Sequence, residues 1–137
     1  MKKSVLTLSN WLEHRERLKP KIQAIGRMSA EPDLFETINK ACSDERAFLF
    51  LAPDGFIVLR PRHCRQQTFI SVPVAYCEGG KALERYQGEV INLSRMGKAE
   101  FVQFYTARKG FDRLALKLGW SKFGCHRNLA IWRYQLN

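Results

Sequence analysis

The sequence predicts one domain of the α/β (α+β) class, with a mixed, mostly antiparallel central sheet flanked by helices. The chain has 137 residues, the size of a single domain, and 45% of them are hydrophobic, which is enough for a core. No repeat, low-complexity tract or Gly/Ser/Pro linker divides it. Apolar runs typical of strands alternate with amphipathic stretches of helical spacing, so we expect strands and helices to share one sheet.

Residues 1–46 predict a short strand followed by helices. The strand is expected over residues 5–8, and a helix capped by Ser9 or Asn10 follows and runs to about Arg27. Pro20 interrupts the helical pattern, which predicts a kinked or two-piece helix. A second helix is expected to begin at Ser29. Its apolar stripe consists of Leu34, Phe35, Ile38 and Ala41.

Residues 47–137 predict most of the sheet. Two apolar runs, 47–52 and 56–59, flank the turn signal Pro53-Asp54-Gly55 and indicate a β-hairpin. The polar, basic residues 60–67 indicate a loop, and residues 68–77 indicate a third strong strand.

The rest of the chain predicts helix, strand, helix and a final strand or hairpin. After Glu78-Gly79-Gly80, helical spacing runs over residues 81–96, with Gly97 as a C-cap. Residues 99–106 indicate a strand, and a short helix closed by Gly119 follows. Residues 123–136 hold one strand or a hairpin that turns near Asn128. A strand–helix–strand unit in an otherwise antiparallel sheet implies the mixed topology.

The junction of residues 69–84 is the most informative segment for function. A strand runs into a glycine turn and then into a helix, where backbone N–H groups and the positive helix end attract anions. Lys81 adds a charge at the mouth of this turn. The alternative is that Gly79 and Gly80 only make a tight turn between strand and helix.

The order of elements around this junction resembles the GNAT N-acetyltransferase superfamily. That family holds the pyrophosphate of acetyl-coenzyme A in a loop patterned Gln/Arg-x-x-Gly-x-Gly/Ala. Residues 77–82 match it at Gly80 and Ala82, while Cys77 replaces the usual Gln or Arg. The resemblance covers residues 47–136, the expected cofactor-binding half, and Leu118-Gly119-Trp120 fits the family's last-helix tripeptide. It implies an acyl-CoA N-acyltransferase-like sheet with splayed fourth and fifth strands, and a bulge near Pro73.

The resemblance also implies site residues. Backbone amides of Val74, Ala75 and Tyr76 are expected near the thioester of acetyl-CoA or another acyl-CoA. The pyrophosphate is expected on Glu78, Gly79, Gly80, Lys81 and Ala82. Many relatives carry a catalytic Tyr where this chain has Ala115, so Tyr105 and Tyr76 are the neighbouring candidates. No acidic general base stands out, which leaves water-relayed proton transfer, an unusual residue, or a loss of catalysis open.

The net charge of +10 favours acidic partners. Basic residues expected to contact anions are Arg60, Arg62, Arg65, Arg108, Lys109 and Arg113. They suit either coenzyme phosphates or a nucleic-acid backbone. The first hypothesis is therefore direct acyl transfer to an amine of an acidic or nucleic-acid-associated acceptor. The alternative is a nucleic-acid-binding or DNA-modifying protein on the same fold, without acetyltransferase activity, as in some phage-encoded members of the superfamily.

The cysteines and the N-terminus carry the remaining expectations. The four cysteines form no C-x-x-C pair and the three histidines are scattered, so no metal site is expected. We expect buried free thiols, no secretory signal, no membrane span and a cytoplasmic location.

Overall fold

The computed structural model describes residues 6–106, 112–126 and 129–136, which form a seven-stranded sheet with helices on both faces. The elements are β1 (Thr7–Ser9), α1 (Trp11–Met28), α2 (Leu34–Ser43), β2 (Phe48–Ala52), β3 (Gly55–Cys64), β4 (Gln67–Cys77), α3 (Ala82–Met96), β5 (Phe101–Thr106), α4 (Asp112–Lys117), β6 (Ser121–His126) and β7 (Leu129–Gln135). The strand order is β1-β2-β3-β4-β5-β7-β6. Only β4 and β5 pair in parallel, and the other neighbours are antiparallel, which confirms the predicted fold class.

Two apolar clusters lie on opposite faces of the sheet. On one face, α1 and α2 bury Ile22 and Ile38 against Val58 and Val74 of the sheet. On the other face, the cluster under α3 includes Tyr86 of that helix and residues of β3, β5 and β7. Alternate residues of β3 and β4 therefore point into different cores, as expected for strands buried on both faces.

The N-terminal elements differ from the prediction at their boundaries. Within the described residues, the first strand is Thr7–Ser9 rather than 5–8. The two-piece helix was wrong, because α1 continues through Pro20, whose side chain is exposed. The second helix begins at Leu34 rather than Ser29, since residues 29–33 form turns in which Glu31 N–H bonds the Gly26 carbonyl at 2.7 Å. Its predicted apolar stripe is buried.

The predicted loop over residues 60–67 was also wrong. Strand β3 continues to Cys64 and pairs with β4 as far as Cys64 opposite Gln67. The two-residue turn consists of Arg65 and Gln66, whose φ angles of 50° and 68° are left-handed. Polar composition misled the prediction because this end of the hairpin is exposed, so its strands need no apolar residues.

The C-terminal prediction of a hairpin is confirmed, since β6 and β7 pair antiparallel. Asn128, the predicted turn residue, lies outside the described residues. Two thiols, Cys42 and Cys77, are buried as expected, but Cys64 and Cys125 are exposed. None of the helices in the described ranges is long and apolar enough to cross a membrane.

Candidate functional site

The parallel strands β4 and β5 part after three paired residues. Phe69, Ile70 and Ser71 pair with Phe101, Val102 and Gln103, and there the ladder ends. Strand β4 continues for six more residues to Cys77, while β5 continues to Thr106. Backbone groups on the β5 side of the second half of β4 therefore have no strand partner within the described chain. Such groups can bind an extended ligand that enters between the strands.

A bulge lies at the start of this separation. Val58 pairs with Val74 and Arg60 with Ser71, so Val72 and Pro73 stand opposite a single β3 residue. Proline cannot donate to a regular ladder, and the bulge accommodates it. The bulge that was expected near Pro73 is confirmed.

The loop between β4 and α3 has three consecutive left-handed residues. The φ angles are 85° at Gly79, 80° at Gly80 and 63° at Lys81. A Cβ added at either glycine would meet nothing within 4 Å, so the space beside both is open. Helix α3 begins at Ala82, and Lys81 makes no side-chain capping bond. The N–H groups of the first turn of α3, with those of Gly79 and Lys81, are therefore donors suited to an anion.

The Cys77 side chain supports this loop from inside. Its thiol donates to the Gly80 carbonyl at 2.8 Å, and the Gly80 N–H bonds the Cys77 carbonyl at 3.0 Å. Burial is the main cause that raises the pKa of Cys77, with Asp54 adding to it, so the thiol stays protonated as a donor. The residue that departs from the loop pattern thus holds the turn together.

Asp54, in the β2–β3 turn, ties the loop to α3. Its carbonyl accepts the Glu78 N–H at 2.7 Å. Its carboxylate accepts the Tyr86 hydroxyl at 2.9 Å and pairs with the Arg85 guanidinium. The Tyr86 bond is the first cause that lowers the pKa of Asp54, and burial chiefly raises the pKa of Tyr86. The sequence identified Asp54 only as a turn residue, because its partners are about 30 positions away.

The two candidate tyrosines lie on the α1-side face of the separating strands. Tyr105 is 44% exposed, and its hydroxyl oxygen accepts the Gln103 amide N–H at 3.0 Å. Its own hydroxyl hydrogen therefore points elsewhere and can be donated. Tyr76 instead packs beside Phe56, with ring centroids 5.8 Å apart, and Lys21 Nζ lies 4.4 Å from its ring centre.

Ala115, at the position where the resemblance implies a tyrosine in many relatives, is fully buried. Its exposed fraction is 0%, and it packs in the cluster under α3. Nearby, Trp120 Nε1 donates to Gln87 Oε1 at 2.9 Å, and Gln87 Nε2 donates to the Leu118 carbonyl at 2.8 Å. These contacts hold the end of α4 against α3. Position 115 itself carries no hydroxyl group.

The predicted basic residues that the structure describes lie on different elements. Arg60 and Arg62 lie on β3, and Arg65 lies in the following turn. Burial, then Arg62 and Arg46, lower the pKa of Arg60, so several guanidinium groups stand close together. Arg113 is exposed on α4, while Arg108 and Lys109 lie outside the described residues.

Two cavities flank the β4–α3 loop and the separated strands. A cleft of about 230 Å³ on the α1 side is lined by Tyr76, Glu78, Asp54, Arg17 and Lys21, among others. An apolar recess lies on the other face, beneath α3. Its lining includes Val72, Ala75, Val102, Leu83 and Val90.

Comparisons with known proteins identify the fold. No protein-family model and no curated protein matches the sequence. Solved structures do match: a GNAT-family acetyltransferase from Listeria monocytogenes has a TM-score of 0.68 at 9% identity, covering 96% of this chain and 95% of that one. The N-acyl amino acid synthase FeeM from uncultured soil microbes has a TM-score of 0.68 at 12% identity, covering 97% and 95%.

A third similar structure contains the coenzyme. N-acetylglutamate synthase from Neisseria gonorrhoeae, complexed with coenzyme A and N-acetyl-glutamate, has a TM-score of 0.61 at 11% identity. The match covers 99% of this chain and 36% of that protein. This chain therefore has the GNAT acyltransferase fold, as the order of its elements implied.

Proposed function

We propose that this protein is an acyl-CoA-dependent N-acyltransferase that passes the acyl group directly to the amine of an acidic acceptor. The observation that carries the proposal is the combination of separated β4 and β5 strands with an open loop of left-handed residues at the end of β4. The similar structures support it, since one was crystallised with coenzyme A.

The residues present fit acyl-CoA. Amides of Gly79, Lys81 and Ala82 would hold the pyrophosphate, because the open space at both glycines lets anionic oxygens approach the backbone. The Glu78 and Gly80 amides, which the sequence also suggested, instead bond the Asp54 and Cys77 carbonyls and shape the loop. Backbone groups of Val74, Ala75 and Tyr76 would hold the pantetheine arm and the acyl carbonyl. Bound acyl-CoA supplies an acyl group activated as a thioester. Acetyl-CoA is the form we propose.

Proton transfer is assigned to Tyr105. The Gln103 amide occupies a lone pair of its hydroxyl oxygen, which directs the hydroxyl hydrogen outward for donation to the leaving group. Tyr76 is the less suitable candidate, because its ring is packed against Phe56 and Lys21. The acceptor amine would lose its proton to water, since the sequence offers no obvious carboxylate base.

The excess positive charge favours an acidic acceptor. Like charges repel, so a net charge of +10 disfavours polyamines and aminoglycosides. Arg60 lies partly buried in a cluster of guanidinium groups on the α1-side face. The positive electrostatic potential of this cluster would attract an acceptor that carries anionic groups.

The experiment is an assay of thiol release from acetyl-CoA with a panel of amines. We expect turnover with anionic amines, and a loss of about 100-fold or more in kcat for Tyr105→Phe. Tyr76→Phe is the matched control and should keep most of the activity. Equal losses in both variants, or no turnover with any amine, would count against the assignment.

Nucleic-acid binding is the second candidate function. The favouring observation is the exposed β3–β4 hairpin, where Arg62 and Arg65 extend the basic cluster. If it binds nucleic acid, affinity for a DNA duplex should fall steeply between 50 and 200 mM salt, roughly 10-fold or more. Arg62→Glu should weaken it further. Flat anisotropy at low salt would exclude this function.

A further inference from the structure

Arg133 of β7 is held in a fixed position on the α1-side face of the sheet. Its guanidinium carbon lies 4.2 Å from the ring centre of Phe101 and 3.5 Å from that of Phe123. Its Nε–H donates to Gln103 Oε1 at 2.6 Å. Two rings and one charge-assisted bond therefore restrain a side chain that is ordinarily among the most mobile.

Among the described residues, the remaining side-chain donors of Arg133 have no hydrogen-bond partner. The Nε–H is used by Gln103, which leaves the two Nη groups, and no ion pair to a carboxylate of the described residues involves Arg133. The side chain is partly buried, so its forked edge is partly shielded from water but not closed off. A restrained, partly desolvated fork without a carboxylate partner is suited to bidentate binding of a carboxylate or a phosphate.

The position of Arg133 relates this fork to the separation of the strands. The strand register aligns Arg60, Ser71, Gln103 and Arg133 across four neighbouring strands. Ser71 and Gln103 are the last residues paired between β4 and β5. Paired residues of neighbouring strands have their side chains on the same face of the sheet, so Arg60 and Arg133 lie on one face. The gap between β4 and β5 begins after Ser71 and Gln103, and Gln103 lies between Arg133 and this gap.

Gln103 also joins Arg133 to the proposed proton donor. Its amide accepts from Arg133 and donates to the Tyr105 hydroxyl oxygen at 3.0 Å. Gln103 is only 5% exposed, which fixes this amide between its partners. Two hydrogen bonds and one amide group limit the distance from Arg133 Nε to Tyr105 Oη to about 8 Å. An anion bound by Arg133 would thus lie on the same face of the sheet as the proposed proton donor.

We propose that Arg133 binds the anionic group of the acceptor, which is a small molecule carrying a carboxylate or phosphate within a few bonds of its amine. This inference rests on the proposed acyl transfer, to which it adds the acceptor class and the residue that selects it. Phe123 and Gln103 are positioning residues, because they act through the orientation of Arg133. The nearby Arg60 adds attraction.

The first test is a binding titration followed by the NMR signal of the Arg133 Nε–H group. N-acetylglycine and inorganic phosphate are the probes, added to protein saturated with coenzyme A so that its own phosphates occupy the loop. We expect a saturable shift at millimolar probe. Arg133→Lys keeps the charge but loses the fork, and probe binding, followed through backbone amide signals of β7, should weaken at least 10-fold. Arg95→Lys, at an exposed arginine in the last turn of α3, is the matched control and should leave it unchanged.

A second variant tests the proposal even if Arg133→Lys does not fold. Phe123 is 61% exposed, so Phe123→Leu should fold while removing one side of the ring pair. Phe123→Leu should weaken the binding of the probes several-fold. A shift that does not saturate, or one that persists at equal affinity in both variants, overturns the proposal.

The transfer assay distinguishes a carboxylate from a phosphate as the anion that Arg133 binds. It also distinguishes a failure of the role of Arg133 from a failure of the proposed acyl transfer. Amino acids are compared with their neutral amides, and phosphoethanolamine with ethanolamine. We expect the anionic member of one pair to have a KM at least 10-fold lower, and Arg133→Lys to remove that difference with less effect on kcat. Transfer with no preference for the anion overturns the role of Arg133 but keeps the acyltransferase. Saturable anion binding without acetyl-CoA binding or transfer refutes the acyltransferase but supports Arg133 as an anion site.

Discussion

Gly55 lies where the start of β3 meets the end of β4, and a larger residue there should displace the end of β4. A Cβ at this position would lie 1.9 Å from the Tyr76 carbonyl oxygen, 2.6 Å from Cys77 Cα and 2.7 Å from Tyr86 Oη. The first two are backbone atoms, which cannot rotate away. Gly55→Ala must therefore push β3 and β4 apart at the residues proposed to hold acyl-CoA.

The size of the effect follows from the contacts. Overpacking typically costs about 1–3 kcal/mol, and contact with backbone places this variant near the upper end. For 137 residues the entropy of unfolding is about 0.29 kcal/mol/K, so a cost of about 3 kcal/mol lowers Tm by about 10 °C. Displacement of Tyr76 and Cys77 should also weaken acetyl-CoA binding.

Gly88→Ala is the matched control, and we expect it to raise Tm where Gly55→Ala lowers it. Gly88 lies exposed within α3, and a Cβ there meets nothing within 4 Å. Alanine should stabilise the helix by about 1 kcal/mol, raising Tm by about 3 °C. Thermal unfolding followed by circular dichroism measures both variants. Shifts of the same sign, or a Gly55→Ala shift below about 2 °C, would refute the reasoning.

Three further predictions concern the anchor of the loop and the thiols. Tyr86→Phe removes a buried hydrogen bond to a carboxylate and should lower Tm by about 3–6 °C in a thermal melt; an unchanged Tm would show that the bond contributes nothing. The folded state lowers the pKa of Asp54, so its stabilisation is present above the ordinary carboxyl pKa of about 4 and is lost as pH falls through the lowered value. In urea unfolding at pH 7 and pH 2, wild type should lose more stability than Asp54→Asn, and parallel losses would contradict this. Cys64 and Cys125 should react with a disulfide reagent in the native protein, whereas the two buried thiols should react only after denaturation; four fast thiols would be inconsistent with the fold.

The strand–loop–helix junction was predictable because its signals are local. Gly79 and Gly80 mark a turn that needs left-handed residues, and Pro73 marks a position that cannot join a regular ladder. The apolar runs on either side fixed the element order. The resemblance to the GNAT fold then followed from that order, and similar solved structures bear it out.

Long-range contacts were out of reach of the sequence. Nothing near Asp54 indicates that Tyr86 and Arg85 will bind its carboxylate. Likewise, the Arg133–Gln103–Tyr105 chain exists only because β5 and β7 pair in one particular register. The extension of β3 to Cys64 was missed because exposed hairpins tolerate polar residues, and Pro20 did not break α1 because it faces solvent.

Calorimetric titration with acetyl-CoA tests the central claim most directly, comparing wild type with Gly80→Ala and Gly80→Glu. Gly80 has φ of 80° and open space beside it, so alanine strains the backbone by about 1 kcal/mol without blocking the loop, whereas glutamate places a carboxylate against the pyrophosphate. We predict a Kd of about 1–100 μM for wild type, a change within about 10-fold for Gly80→Ala, and no measurable binding for Gly80→Glu. No heat with wild type, or equal affinity in Gly80→Glu, would contradict a working acyl-CoA site.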